Sequence, residues 1–302
     1  MSGLLFITGH AGLAGGALVR AAATASREVI TASRAELDLS DGGAVAAYLK
    51  AQRPSAIIHA AARNAGIAIH ETQPADMLAD NLAITLNTIR AAAEAGVPRL
   101  LYISSATVYS PDGTLPAGPT AGYGLAKIAG MMLCEAVRRQ HGLCYHSIIP
   151  CNLYGPGDNF HPDHATVLPG MMRRMHDALL SGAGEFRVWG SGRQSREFLH
   201  ADDLAAACLL LLELPDPPAR VDCSPGISTT ILELAEQLKE LSGFTGKIVT
   251  DPSKPDGTPR PLLDSTQLRG LGWLPRIPLE EGLRSTWEAF RAAYLAGTLR
   301  GG

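Results

Sequence analysis

Residues Ile7-Thr8-Gly9-His10-Ala11-Gly12-Leu13-Ala14-Gly15 decide the fold of this chain. They follow the first apolar run, Leu4–Thr8, and place three glycines at a turn from a strand into a helix. Glycines there let the backbone approach a pyrophosphate, and the N-terminus of the helix offers N–H groups and a positive dipole end. A glycine triplet by itself also fits a simple tight turn. Its position directly after the first strand favours a dinucleotide site.

The first half of the chain alternates strand and helix signals. Continuous apolar runs separated by alanine-rich stretches of helical length indicate a parallel sheet covered on both faces. The strand candidates are Leu4–Thr8, Glu28–Thr31, Ala56–Ala60, Leu100–Ser104 and Tyr145–Ile149, and the helix candidates include Leu13–Ala23, Asp76–Ala95 and Tyr123–Gln140. From Asn152 onward the pattern loosens, and Pro and Gly become frequent.

This organisation predicts an α/β fold, a Rossmann-type doubly wound parallel sheet with a smaller mixed α/β C-terminal substrate domain. We place the dinucleotide-binding domain at residues 1–151 plus about 198–223. The nucleotide-sugar-binding domain then comprises residues 152–197 plus about 224–302.

Composition excludes several classes of protein. The 302 residues are 46% hydrophobic and 18% charged, with a net charge of −3 and no long basic run, which argues against disorder and against nucleic-acid or membrane-surface partners. No apolar run reaches the roughly 18 residues of a membrane span, and no basic region precedes the first strand as in a signal peptide. The five cysteines lack CxxC spacing, so we predict no disulfide framework and no metal site, and expect a reducing, cytoplasmic location.

The end of the second strand, Thr31-Ala32-Ser33-Arg34, bears on the choice of cofactor. An NAD enzyme often carries an acidic residue there for the ribose 2′-OH, whereas Arg34 can pair with a 2′-phosphate or simply be a solvated arginine. We therefore predict NADPH (NADP) and leave NAD open. The predicted cofactor contacts are Gly9, Gly12, Leu13, Gly15, Arg34, Asp38, Leu39, Ala60, Ala61 and Lys127.

Tyr123-Gly124-Leu125-Ala126-Lys127 places a phenol and an ammonium on one face of a helix. The lysine charge is expected to lower the tyrosine pKa, and such a tyrosine can protonate a carbonyl oxygen while hydride arrives at its carbon. This spacing is also common on ordinary amphipathic helices. Here it follows a strand end that carries Ser105, whose hydroxyl can polarise the same carbonyl. We therefore predict a catalytic group of Ser105, Tyr123 and Lys127.

These motifs in this order resemble the extended short-chain dehydrogenase/reductases, the NAD-dependent epimerase/dehydratase family, and within them the GDP-L-fucose synthases. The resemblance covers nearly the whole chain. It is most specific at Pro150–Phe160 and continues at Val188–Gly192, Arg196–Asp203 and Lys254–Arg260. By similarity Ser105, Tyr123 and Lys127 match the catalytic triad of the family.

The resemblance also implies a substrate site. Asn152, Trp189 and Arg196 match positions that hold the nucleotide sugar and its diphosphate. An arginine can fork onto a diphosphate, which suits this role. A core aromatic and a surface ion pair are the alternative interpretations of Trp189 and Arg196.

Two positions depart from the family pattern. GDP-L-fucose synthases epimerise a 4-keto sugar at C3 and C5 before reducing C4, and epimerisation needs groups that remove and return protons. The family uses a cysteine two residues after the catalytic serine and a histidine in the substrate domain, where this chain has Thr107 and Thr166. His164 can substitute if the loop is shifted, and His161 and Cys151 are weaker candidates. In the glycine turn, Ala11 stands where the family often has an arginine, which weakens the NADPH prediction without reversing it.

The resemblance implies an NADPH-dependent reductase of the C4 ketone of a nucleotide-linked, preferentially GDP-linked, 4-keto-6-deoxy sugar or related 4-keto sugar, lacking C3/C5 epimerase activity. The alternatives are a complete GDP-L-fucose synthase, an NAD-dependent nucleotide-sugar 4-epimerase, and a non-catalytic dinucleotide-sensing protein, whose expected sign is a broken triad. By similarity we also expect a homodimer formed through helices around 76–95 and 123–140 as a four-helix bundle.

Overall fold

The computed structural model describes residues 3–110, 113–162, 164–254, 256 and 261–301. Its centre is a six-stranded parallel sheet with the order β2-β1-β3-β4-β5-β9. These strands are β1 (Leu5–Thr8), β2 (Val29–Ile30), β3 (Ala56–His59), β4 (Arg99–Ile103), β5 (Cys144–Pro150) and β9 (Arg220–Cys223). The predicted fold class, a Rossmann-type parallel sheet, is confirmed.

Helices cover both faces of this sheet. They are α1 (Leu13–Thr24), α2 (Gly42–Gln52), α3 (Ile67–Thr72), α4 (Pro74–Glu94), α5 (Ala121–His141) and α7 (Ala201–Glu213). Within β1 the side chains alternate between two cores, since Leu5 and Ile7 belong to the core with α1 and α7 and Phe6 to the core with α2, α4 and α5. The continuous apolar runs of the sequence are therefore strands buried on both faces.

The element ends follow local sequence. Helix α4 begins at Pro74, whose fixed φ and missing N–H suit a first helical position, and α5 ends before Gly142 at φ 68°. The second strand is shorter than the predicted Glu28–Thr31, because it lies at the sheet edge and pairs only through Val29 and Ile30 with β1.

The rest of the chain builds two small sheets. One has the order β10-β8-β6 and the other pairs β11 with β7. Their strands are β6 (Asn152–Tyr154), β7 (Glu185–Trp189), β8 (Ser195–His200), β10 (Ser228–Thr230) and β11 (Lys247–Asp251), and the helices here are α6 (Val167–Leu180), α8 (Ile231–Ser242), α9 (Thr266–Gly270) and α10 (Leu279–Leu295). A third core, which includes Tyr154, Phe198 and Phe290, lies among these elements except α9, whose Leu268 packs in the core of the large sheet. The chain thus returns to the large sheet through α7 and β9, and the residue boundaries of the two domains stay a prediction.

Candidate active site

The glycine turn packs too tightly for side chains. A Cβ atom on Gly15 would lie 2.1 Å from the Gly9 carbonyl oxygen, and one on Gly9, at φ +69°, would lie 2.7 Å from Cα of Ala61. The Thr8 hydroxyl holds the end of β3 against this turn by accepting from the N–H groups of Ala60 and Ala61 at 3.2 and 3.1 Å. The backbone is therefore bare at Gly9 and Gly15, where no side chain would fit.

Gly12 is the N-cap of α1 and Leu13 its first residue, so the first turn of the helix receives no side-chain cap from its N-cap residue. Its N–H groups and the positive end of the helix dipole suit a pyrophosphate. These residues fit a dinucleotide, and the structure brings together the predicted contacts at the ends of β1 and β3.

The loop after β2 carries the predicted adenosine contacts. The Arg34 side chain is 88% exposed, and its Nε lies 3.6 Å from a carboxylate oxygen of Asp38. Asp38 accepts from the N–H and hydroxyl of Ser40, and these two bonds lower its pKa. Leu39 packs against the α2–α4–α5 core. The Arg34 guanidinium is thus accessible to an anion, whereas the Asp38 carboxylate already accepts two hydrogen bonds from Ser40 within the same loop.

The predicted catalytic residues gather around one turn. Ser105 caps a short 3₁₀ turn, Ala106–Val108, by accepting from Thr107 N–H at 3.2 Å. The helix bearing Tyr123 and Lys127 approaches this turn closely, because a Cβ on Gly124 would lie 2.7 Å from the Thr107 carbonyl oxygen. Lys127 Nζ donates to the Ile103 carbonyl at 2.8 Å and lies 5.5 Å from the Tyr123 ring centroid.

Burial controls the protonation of this pair. It raises the pKa of Tyr123 and lowers the pKa of Lys127 to about 7. The expected lowering of the tyrosine pKa by the lysine is wrong for this structure, because desolvation of the phenolate outweighs the lysine charge. Tyr123 is therefore protonated at neutral pH, which is the form that can donate a proton.

Two buried histidines beside these residues were missed by sequence reasoning. His59, at the end of β3, bonds the Thr8 hydroxyl through Nδ1 at 2.8 Å, and its ring stacks on Tyr102. Burial, followed by the Lys127 charge, lowers its pKa to about 3. His70, on α3, lies edge-on to the Tyr123 ring with 5.8 Å between ring centroids. The sequence pattern gives no signal for His70, since α3 is too short to show periodicity.

A small cleft joins the catalytic turn to the predicted substrate residues. Asn152, at the start of β6, and Arg196, on β8, both line it, and so does Ala106, which follows Ser105. The Asn152 side-chain amide donates to the Glu197 carbonyl at 3.1 Å. Burial lowers the pKa of the Arg196 guanidinium.

Trp189 does not line this cleft. It is 48% exposed at the end of β7, with the Arg174 guanidinium 4.5 Å and Lys254 Nζ 6.0 Å from its ring centroid. Arg174 was not predicted as a site residue, because nothing in the local pattern of α6 marks it. Trp189 is thus neither a core aromatic nor a neighbour of Arg196 along the cleft.

The two threonines occupy separate segments. Thr107 lies in the 3₁₀ turn, and its buried Oγ1 has no hydrogen-bond partner within the described part of the chain. Thr166 is the N-cap residue of α6. In the preceding loop the His164 ring stacks on His161 with 3.9 Å between centroids, and the His164 carbonyl accepts from Gly66 N–H at 2.7 Å. His164 is therefore paired with another histidine, and its backbone is fixed against the start of α3.

Comparison with known proteins identifies the family. The model of the NAD dependent epimerase/dehydratase family matches residues 5–222. The chain belongs to this family. Family membership confirms the predicted resemblance and the predicted enzyme class, an NAD(P)-dependent oxidoreductase.

This chain is similar over nearly its whole length to three known members of the family. GDP-L-fucose synthase 1 of Arabidopsis thaliana is 43% identical over 95% of this chain and 93% of its own length. A GDP-mannoheptose C4 reductase of Campylobacter jejuni with NADP bound has a TM-score of 0.85 and 29% identity, covering 96% of this chain and 98% of that one. A GDP-L-fucose synthetase of Naegleria fowleri bound to NADP has a TM-score of 0.89 and 25% identity, covering 98% and 94%.

The predicted cofactor agrees with the NADP held by the two solved relatives. Among the described residues, no helix combines the length and the apolar character that crossing a membrane requires. The roles of the individual site residues stay predictions.

Proposed function

We propose that this enzyme reduces the C4 ketone of a GDP-linked 4-keto sugar with NADPH, without exchanging protons at C3 or C5. One observation carries the proposal. Ser105, Tyr123 and Lys127 are gathered around one tightly packed turn, whereas threonines stand at both positions that the family uses for epimerisation. The relatives named as GDP-L-fucose synthase and as a GDP-sugar C4 reductase support a GDP-linked 4-keto substrate.

The cofactor is NADP(H), held by the bare glycine turn, the first turn of α1 and the loop after β2. Arg34 offers its exposed guanidinium to the 2′-phosphate, and Lys127 contributes from α5. When bound, the reduced nicotinamide supplies the hydride that adds to the carbonyl carbon.

Three side chains of the protein donate the proton and stabilise the negative charge that develops during reduction. Tyr123, kept protonated by burial, gives its proton to the ketone oxygen as the hydride adds. The Ser105 hydroxyl donates to the same oxygen and stabilises the negative charge that develops on it. Lys127, 5.5 Å from the Tyr123 ring, stabilises the phenolate that remains.

The cleft beside the catalytic turn receives the nucleotide sugar. Arg196 and Asn152 line it, and a guanidinium there can donate to two diphosphate oxygens at once. Trp189 lies outside the cleft, flanked by Arg174 and Lys254, so we assign it to a more distant part of the nucleotide.

Proton exchange at C3 and C5 requires a base of suitable pKa close to the carbon. A threonine hydroxyl has no such pKa. His164 lies two residues from Thr166, but its ring stacks on His161 and its carbonyl is tied to Gly66. We therefore propose that neither threonine position is served by a neighbouring base.

We also propose a homodimer through α4 and α5, as expected by similarity. The two helices pack on each other and leave Leu86 and Met132 exposed, at 48% and 64%. Pairing of these faces would bury them in a four-helix bundle. Sedimentation of the wild type against Met132→Glu tests this, and a wild type that sediments as a monomer would contradict it.

The function is tested by incubating the enzyme and NADPH with a panel of GDP- and UDP-linked 4-keto and 4-hydroxy sugars. We expect stoichiometric NADPH oxidation with GDP-linked 4-keto sugars only. Interconversion of 4-hydroxy sugars without net NADPH oxidation would show a 4-epimerase instead. Absence of turnover with every GDP-linked 4-keto sugar would overturn the proposal.

A further inference from the structure

Glu197 is a buried carboxylate with no assigned role. It lies on β8 directly after Arg196 and is only 5% exposed. One carboxylate oxygen accepts from the Ser224 hydroxyl, and the other accepts from the Leu263 N–H at 3.0 Å. A buried carboxylate is costly unless such donors compensate it, so these two bonds account for its presence.

These bonds join three segments that are distant in sequence. Ser224 N–H donates to the Ser265 hydroxyl at 2.7 Å, so the segment after β9 and the segment 263–265 are held to each other as well as to β8. Leu263 follows Pro261 and Leu262, which form one wall of the cleft that Arg196 lines. The Glu197 carboxylate therefore holds the segment that begins at Pro261 against β8, the strand that carries Arg196.

The backbone of the same residue holds a second predicted substrate contact. The Glu197 carbonyl accepts the Asn152 side-chain amide at 3.1 Å. Glu197 is thus connected to all three features of the cleft: it follows Arg196 in the chain, it bonds Asn152, and it bonds Leu263 next to Pro261 and Leu262. It can do this without touching the substrate. Its two carboxylate oxygens both accept; glutamine would keep one oxygen for the Leu263 N–H but turn an amide nitrogen toward the Ser224 hydroxyl, so the two charge-assisted bonds would be replaced by neutral ones.

We propose that Glu197 is a positioning residue for diphosphate binding, acting through Arg196 and through the Pro261–Leu262 segment that lines the same cleft. This inference rests on the proposed function, because it takes the ligand of the cleft to be the diphosphate of a nucleotide sugar.

The test measures the binding of GDP itself by calorimetry, so that it does not depend on turnover. Glu197→Gln should raise the Kd for GDP about tenfold, equivalent to ~1.4 kcal/mol, while the Kd for NADPH stays within about twofold. Arg196→Ala should weaken GDP binding at least as much. Since Glu197 acts in part through Arg196, the two losses of GDP binding should be less than additive in the double variant.

Asp203 provides a matched control, because its buried carboxylate also accepts two hydrogen bonds, in this case from the backbone N–H groups of Arg276 and Ile277 at 3.0 Å, away from the cleft. Asp203→Asn should lower the melting temperature as Glu197→Gln does but leave the Kd for GDP within about twofold. If Glu197→Gln does not fold, Ser224→Ala removes one of the two donors to the carboxylate, together with the acceptor of the Gly226 N–H, and should raise the Kd for GDP by a smaller factor.

The outcomes separate this inference from the proposed function. A wild type that does not bind GDP would contradict the proposed function. A wild type that binds GDP, with unchanged Kd in a folded Glu197→Gln or in Ser224→Ala, would overturn the role of Glu197 alone. Equal loss of GDP binding in Asp203→Asn, or additive losses in the double variant, would assign Glu197 to general stability instead.

Discussion

The turn after β4 and the loop before α6 contribute to the site in different ways. Around the turn, Ser105, Tyr123 and Lys127 are buried or half-buried and joined by close packing of α5. In the loop, Thr166 occupies the N-cap position of α6 without a side-chain capping bond and lies two residues after His164, which stacks on His161. Thr107 belongs to the turn by position but offers only a hydroxyl. In the proposed function, proton exchange is lost while the reduction residues stay assembled, because threonines replace both proton-transfer groups of the family.

Tyr123→Phe should give the largest loss on the reduction side of this comparison. The ring packs equally well without its hydroxyl, but the proton for the ketone oxygen is gone, so kcat should fall by roughly 10²–10⁴-fold with an unchanged melting temperature. Single-turnover oxidation of NADPH by a GDP-linked 4-keto sugar measures this. A near-normal kcat would break the assignment of Tyr123 as the acid.

Ser105→Ala removes one donor to the ketone oxygen from the same turn. We expect a fall in kcat of about 10²-fold or more. Thr107→Ala is the matched control, since it removes a hydroxyl two residues away, and kcat should change little. Equal losses of kcat in both variants would mean that the conformation of the turn, rather than the Ser105 hydroxyl itself, supports catalysis.

Arg34 lies outside both regions, so replacing it should affect cofactor binding rather than the chemistry at the substrate. Arg34→Ala removes a charged hydrogen bond worth roughly 1.5–3 kcal/mol, so the Kd for NADPH should rise by about 10- to 100-fold and that for NADH should change little. Equilibrium binding followed by cofactor fluorescence measures both. A wild type that prefers NADH, or equal losses with both cofactors, would contradict the role of Arg34.

The buried lysine predicts a pH dependence confined to reduction. Lys127 carries its charge below its pKa of about 7, while burial raises the pKa of Tyr123 and keeps its hydroxyl protonated. The kcat/KM for reduction should therefore be level below about pH 7 and fall about tenfold per unit above it. Lys127→Arg, which stays charged, should remove the alkaline fall even if the plateau is lower. A flat profile through this range in the wild type would contradict the role of the lysine charge.

Local pattern predicted much of this molecule. The glycine turn, the apolar strands and the Tyr123–Lys127 spacing depend on residues close in sequence, so the parallel sheet and the gathering of the reduction residues could be anticipated. The length of an edge strand could not be anticipated. Strand β2 has a neighbour on one side only, and its pairing with β1 determines that it contains two residues.

Long-range contacts account for what the sequence could not reveal. Glu197 bonds residues 27 and 66 positions away, and no periodicity marks such partners. The pKa of Tyr123 depends on how completely the fold buries it, which outweighs the neighbouring lysine that the spacing made conspicuous. His70 reaches Tyr123 only because the fold brings α3 against the first turn of α5.

The central claim is that reduction proceeds without proton exchange at C3 and C5. It is tested most directly by incubating the enzyme, NADPH and a GDP-linked 4-keto-6-deoxy sugar in D₂O and examining the product by NMR. Thr107→Cys/Thr166→His, which restores both proton-transfer groups, serves as the gain-of-function arm, and His164→Ala tests the neighbouring histidine. The account predicts C4 reduction with no deuterium and no inversion at C3 or C5 in the wild type. Deuterium at either carbon, appearing at a rate comparable to turnover, would contradict it.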